Sequence, residues 1–165
     1  MSTGPLKRVT LWVRSAEASL AVYRDALGLE VLEDKRVEGP AIAKMVGLKQ
    51  AALRIVHLAP AGATHGWIGL YEIGATAPRQ MESLPRLSGF PLYGQATLVL
   101  TTSEMDAVVG RLRATTGVAM ITEPTRYIKT EASAAMPAGI YSEAIFFDPD
   151  GIPVSLIGFE PLEPR

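Results

Sequence analysis

The order strand–helix–strand–strand–strand is written twice into this chain, and that repetition restricts the fold more than any other feature. The first copy opens on Arg8-Val9-Thr10-Leu11-Trp12-Val13-Arg14, where polar and apolar residues alternate with a period of two. That is the pattern of a half-buried strand. Val9, Leu11 and Val13 share one face; Arg8, Thr10, Trp12 and Arg14 share the other. Ser15 follows as an N-cap, with Glu17 in the first turn where a carboxylate is favoured. The helix is expected to run to Leu27, with Leu20, Tyr23 and Leu27 on one stripe and Gly28 as its stop. Further strands are expected over 30–37, 52–58 and 66–73, with a short helix over 41–46 after the Gly39-Pro40 break.

The second copy begins with Gln95-Ala96-Thr97-Leu98-Val99-Leu100-Thr101, which alternates in the same way. Ser103 reads as an N-cap and Asp106 completes an approximate capping box. Met105, Val108 and Leu112 form the apolar stripe, and Gly117 ends the helix. Strands are expected at 118–121 (extendable to 127), 142–147 and 152–159. The last two are joined by Asp148-Pro149-Asp150-Gly151, a strong turn because Pro fixes φ and Gly accepts positive φ. The separations Arg8–Gly69 and Gln95–Ser155 agree to within one residue, as an internal duplication requires. The fold class is α+β. One domain, 1–165, holds two modules, 5–74 and 92–161, joined by 75–91, the one linker-like stretch. A helix on one face of each four-stranded module leaves the other face free to build a cavity.

Composition narrows what such a cavity can do. A chain of 165 residues that is 48% hydrophobic can bury a core without staples. With no Cys, a disulfide framework, thiolate metal site, iron–sulfur cluster or cysteine nucleophile is excluded. A net charge of -1 gives no concentrated positive field for nucleic acid. No apolar run approaches the ~20 residues that span a bilayer, and the opening MSTGPLKRVT lacks a signal-like apolar stretch. The expectation is a cytoplasmic protein with neither nucleic-acid nor membrane partners.

Three segments resemble one known family, the vicinal oxygen chelate superfamily of glyoxalases, bleomycin-resistance proteins and dioxygenases. Val9 to Gly28 is similar to its opening strand and helix, including the Tyr23-Arg24-Asp25 and Leu27-Gly28 endings. Gln95 to Gly117 resembles the start of its second module, and Phe146 to Ile157 its closing hairpin. The resemblance implies paired βαβββ modules forming a cupped eight-stranded mixed sheet around a divalent metal. The ligands would come from the first and fourth strands of each module, which here places them at Arg8, Gly69, Gln95 and Ser155. Arg8 is a permanent cation, Gly69 has no side chain, Gln95 is a poor lone ligand and Ser155 stands where the family carries Glu. The expectation is therefore no metal and no cofactor.

Period two carries Thr10, Trp12, Trp67, Tyr71, Thr97, Val99 and Ile157 into the same cup. An aromatic and apolar lining with a few polar groups is the composition of a small-molecule pocket. The candidate ligand-binding residues are Arg8, Trp12, Trp67, Tyr71, Gln95 and Ser155, with Gly69 leaving room for the ligand. Arg8 either anchors a carboxylate or phosphate or is paired with an internal Glu. His57 and His65 are placed opposite each other on a hairpin centred on Ala61 and read as solvent-facing, the other reading being a metal or proton-transfer pair. Glu72 is expected to leave the cup and pair with an Arg. Tyr141 and Glu143 have undecided parity. No G-x-S-x-G elbow, P-loop or G-x-G-x-x-G is present.

The leading expectation is a metal-free member that binds a small aromatic or apolar, anionic molecule, its remaining partner being a second copy in a homodimer. The alternative is a lyase, isomerase or dioxygenase of the same superfamily, metal-independent or with a displaced metal. A third reading is a module in which the half-cups serve only dimerisation.

Overall fold

The alternation at 8–14 is realised as strand β1 (Arg8–Val13), with Leu11 and Val13 buried and Trp12 exposed. The computed structural model describes residues 3–74 and 91–162; all but Pro91 of the expected 75–91 linker lies outside them. Two compact units divide the chain, within residues 1–83 and 84–165. Among the described residues, eight strands form two four-stranded mixed sheets, so the architecture is α+β as expected.

In the first unit, β1 is followed by α1 (Ala16–Leu20), which continues as a π-helical segment (Ala21–Ala26). Then come β2 (Glu30–Glu38), α2 (Pro40–Met45), β3 (Ala52–Ala59) and β4 (Trp67–Ile73). The sheet order is β1-β4-β3-β2, with β1 parallel to β4 and the other pairs antiparallel. Ser15 caps α1 as expected, its Oγ accepting the Ala18 N–H at 3.3 Å. A second cap was not anticipated. Glu72, expected to pair with an Arg, accepts the Ala16 N–H at 2.7 Å, next to the positive end of the helix. That bond also identifies the Glu72 side of the sheet as the side facing α1, which packs on β4. Leu11, Val13, Val56, Leu58 and Leu70 are buried, as are Leu20, Val22 and Tyr23. The π-helical turn is visible in the Leu27 N–H bond to Val22 O at 2.9 Å, and Gly28 leaves the helix at φ +76.

In the second unit, β5 (Leu98–Thr101) leads to α3 (Met105–Ala114), then β6 (Ala119–Lys129), β7 (Gly139–Phe147) and β8 (Pro153–Glu160). The order β5-β8-β7-β6 repeats that of the first unit, again with the outer pair β5 and β8 parallel. Two local expectations need correction. Strand β5 starts three residues after Gln95, which therefore lies outside the sheet. The cap position of α3 is Glu104, not Ser103, and its N–H is accepted by Thr102 Oγ1 at 3.0 Å. The closing turn behaves as its residues require. Asp148 Oδ1 accepts the N–H groups of Asp150 and Ile152 at 2.9 and 2.8 Å, and Gly151 takes φ +85. Val108, Val109, Leu112, Phe146, Val154 and Leu156 are buried. No helix among the described residues is long and apolar enough to cross a membrane.

Candidate functional site

The face of the first sheet turned away from α1 gathers the polar and aromatic groups. Pairing of Arg8 with Trp67, Thr10 with Gly69 and Trp12 with Tyr71 puts these six residues on one side. On β3, His57 is opposite Gly69 and Ile55 opposite Tyr71; on β2, Glu33 is opposite His57. Of the candidate residues, Arg8, Trp12, Trp67 and Tyr71 are thus brought together on one sheet face.

Their contacts form a connected patch. Trp12, 45% exposed, meets Tyr71 with ring centroids 5.5 Å apart and planes at 77°, a favourable T-shaped pair. The Arg8 guanidinium lies over the Tyr71 ring, 5.9 Å from its centroid. Lys7 stands 3.7 Å over the Trp67 ring, with Nζ donating to Thr64 O at 3.0 Å. Both distances are within cation–π range. Arg8 is exposed and forms no hydrogen bond or ion pair with the described residues of its unit, so the internal Glu partner weighed for it is not found there.

His57 departs most from the sequence reading. Leu58 pairs with Ile68 and His57 with Gly69, which centres the hairpin near Ala63 rather than Ala61. His65 is consequently not opposite His57, and only His65 is exposed; His57 is 8% exposed. Its Nδ1 lies 3.1 Å from Glu33 Oε2 and its Nε2 lies 3.4 Å from the Tyr71 hydroxyl. An ionised carboxylate only accepts, so in the neutral ring Nδ1 carries the proton and Nε2 the lone pair. The Tyr71 hydroxyl donates to it over a long distance. Burial lowers the His57 pKa from its ordinary 6.5, and the charge of Arg8 adds to this; Glu33 opposes both. Glu33 itself is held below the usual carboxylate range, first by its bond from Lys35 at 2.8 Å. Gly69 leaves no empty space here, contrary to expectation, because Tyr71 and His57 lean over it.

Two measurements check this geometry. A Cβ on Gly69 would stand 3.0 Å from Tyr71 Cε1 and 3.3 Å from His57 Cδ2. Gly69→Val is therefore expected to splay the two rings and cost about 1–3 kcal/mol by overpacking, read by denaturant titration. A depressed folded-state pKa means that the unfolded chain takes up the His57 proton first as pH falls. Stability should decline from just above pH 6.5 down to the folded His57 pKa. In His57→Gln that part of the decline should vanish, as followed by urea midpoints across the window.

The second unit is built differently on its corresponding face. Val99 pairs with Ser155, and Ile157 with Glu143, so Glu143 and Tyr141 share the Ser155 side. Ser155 Oγ donates to Glu143 Oε1 at 2.7 Å. Tyr141 is buried, stacks on Tyr127 at 5.5 Å and donates its hydroxyl to Pro137 O at 2.8 Å. Burial, and then the nearby Glu143 charge, raise the Tyr127 pKa. Gln95 is held locally, its Oε1 accepting the Leu92 N–H at 3.3 Å. Gln95 and Ser155 are thus separately bonded and do not form one polar pair. Among the described residues there is no group of three or more His, Cys, Asp or Glu side chains that could hold a metal ion.

The sequence matches a family profile described as the Glyoxalase/Bleomycin resistance protein/Dioxygenase superfamily over residues 6–156. Among solved structures, a glyoxalase-family protein from Bacillus cereus superposes with a TM-score of 0.72 at 20% identity, over 96% of this chain and 98% of that one. TnmS3, an antibiotic-binding protein from Streptomyces sp. CB03234, gives 0.52 at 22% identity over 97% and 99%. A superfamily member from Sphaerobacter thermophilus gives 0.54 at 18% identity over 96% and 99%. No curated protein matches the sequence significantly.

Proposed function

The chain belongs to the glyoxalase/bleomycin resistance protein/dioxygenase superfamily, and within it we propose a metal-free receptor for a small aromatic anion. The observation that carries this reading is Arg8: a guanidinium without a carboxylate partner among the described residues of its unit, laid over Tyr71 beside Trp12 and Trp67. An Arg among aromatic faces suits a flat ligand with a carboxylate, because the fork binds the anion while the rings stack on its body. Lys7 above Trp67 adds a second positive charge nearby. Antibiotic binding by the Streptomyces relative is a property of that protein, and it indicates that this fold can host such a role.

The donor set supports the absence of the family metal. A divalent ion needs imidazole or several oxygen donors. The first unit offers a guanidinium at Arg8 and no side chain at Gly69. The second offers the Gln95 amide and a Ser155 hydroxyl already given to Glu143. These residues do not fit the ion. Module limits of 5–74 and 92–161, a cytoplasmic setting and a homodimer complete the proposal. Light scattering on the purified chain tests the last.

Thermal-shift titration with benzoate, phenylpyruvate and cyclohexanol tests the ligand class, since a ligand that prefers the folded state raises Tm by mass action. Saturable shifts with the two aromatic acids and none with the uncharged alcohol are expected. Equal shifts with all three, or none with the acids, contradict the reading.

A further inference from the structure

The molecule holds a group of side chains that ligand binding alone does not need. Glu33, His57 and Tyr71 lie in line across β2, β3 and β4, joined by contacts of 3.1 and 3.4 Å, and the Tyr71 ring is the surface over which Arg8 is laid. We propose that Tyr71, His57 and Glu33 form a metal-independent proton relay that enolises an aromatic 2-oxo acid anchored by Arg8. The proposal rests on the anion site described above and gives that site an activity.

The geometry assigns each group a task. Glu33 fixes the His57 tautomer through Nδ1, leaving Nε2 as the base. With Nε2 unprotonated, the Tyr71 hydroxyl 3.4 Å away is placed to donate to that lone pair. When the C–H bond beside the substrate carbonyl breaks, its proton passes to the Tyr71 oxygen as the phenolic proton passes to Nε2. The electron pair of the C–H bond moves into the carbonyl, giving an enolate whose negative oxygen is stabilised by the Arg8 guanidinium. The imidazolium so formed is balanced by the Glu33 carboxylate. Reversal returns a proton to carbon, so no oxidant, reductant or metal is consumed. Tyr71 is the catalytic residue in contact with substrate, His57 the proton acceptor and Glu33 a positioning residue.

The charged and titratable groups facing His57 are Arg8 from β1, Glu33 and Lys35 from β2, and Tyr71 from β4. Burial and Arg8 keep the imidazole neutral at pH 7, the state the relay requires. Activity should rise with pH to a plateau, its half-point below 6.5. Glu33→Gln removes a group that favours the imidazolium, so this half-point should move lower still. If His57 is not the base, Glu33→Gln changes the rate without moving the half-point, and the relay is overturned.

The experiment is exchange of the methylene protons of phenylpyruvate in D2O, followed by NMR against the buffer rate, with binding measured in parallel by calorimetry. The full-length protein is expected to accelerate exchange by about 10²-fold, the lower range of general acid–base catalysis. Tyr71→Phe keeps the ring and removes the hydroxyl. It should drop exchange to the buffer rate with affinity altered by only a few fold, and His57→Gln should do the same. Binding without accelerated exchange, or exchange undiminished in Tyr71→Phe, overturns the relay and leaves the receptor reading standing. Failure of phenylpyruvate to bind overturns the anchor and the relay together.

Discussion

Arg8→Ala is expected to weaken binding of an aromatic carboxylate by roughly 10–100-fold, the equivalent of about 1.5–3 kcal/mol for a hydrogen bond to a charged group. The lower end is the more suitable guide because Arg8 is exposed and water screens part of the attraction. Arg8 has no ion pair with the described residues of its unit to lose, only its contact with the Tyr71 ring, so the variant should fold with stability lowered by at most about 1 kcal/mol. Arg8→Lys keeps the charge but not the planar fork, and should recover only part of the affinity. Titration calorimetry with benzoate separates the three proteins. An additional consequence is independent of any ligand: the Arg8 charge helps depress the His57 pKa, so Arg8→Ala should raise it, as NMR titration of the imidazole would report.

Phe146→Ala should give the largest loss of stability. The side chain is fully buried in β7, on the side of the second sheet with Val154, its partner in register. Truncating a buried Phe typically costs about 3–5 kcal/mol, through lost transfer energy and the cavity left behind. A change of that size is a large fraction of the stability of a domain, and the denaturant midpoint should fall accordingly. Tyr127, on the other side of the same sheet and 39% exposed, is a useful contrast. Tyr127→Phe removes only a hydroxyl that makes no hydrogen bond with the described residues and should leave the midpoint nearly unchanged.

The fold was readable because local chemistry and global pattern agree in this chain. Alternation at 8–13, the Ser15 cap, the Gly28 exit and the Asp148-Pro149-Asp150-Gly151 turn each act within a few residues, and each is found in the structure. The duplication then multiplied those signals into an architecture. Four of the six candidate ligand-binding residues share one face for the same reason, since period two along β1 and β4 decides it.

What escaped the sequence is non-local. The hairpin is centred two residues beyond Ala61, which shifts the pairing by four and exchanges His65 for Gly69 opposite His57. The partner of His57 lies on another strand, and a bulge between Val31 and Glu33 is what turns the Glu33 side chain to the His57 side. Such an inserted residue reverses the facing of everything beyond it, and nothing in the composition of β2 marks the position. Lys7 precedes the alternating stretch, so period two does not mark it. Gln95 was placed in a strand that begins three residues later, at Leu98. The π-helical turn in 21–26 has no sequence mark either, being set by how the helix meets its sheet.

The claim that this superfamily member has kept a ligand site without the family's metal is tested most directly by calorimetric titration of benzoate before and after exhaustive chelation, with the metal content measured on the same samples. The account predicts saturable binding with the same affinity in both samples and no stoichiometric metal in either. One tightly held divalent ion per chain, with binding lost on chelation and restored by that ion, would contradict it.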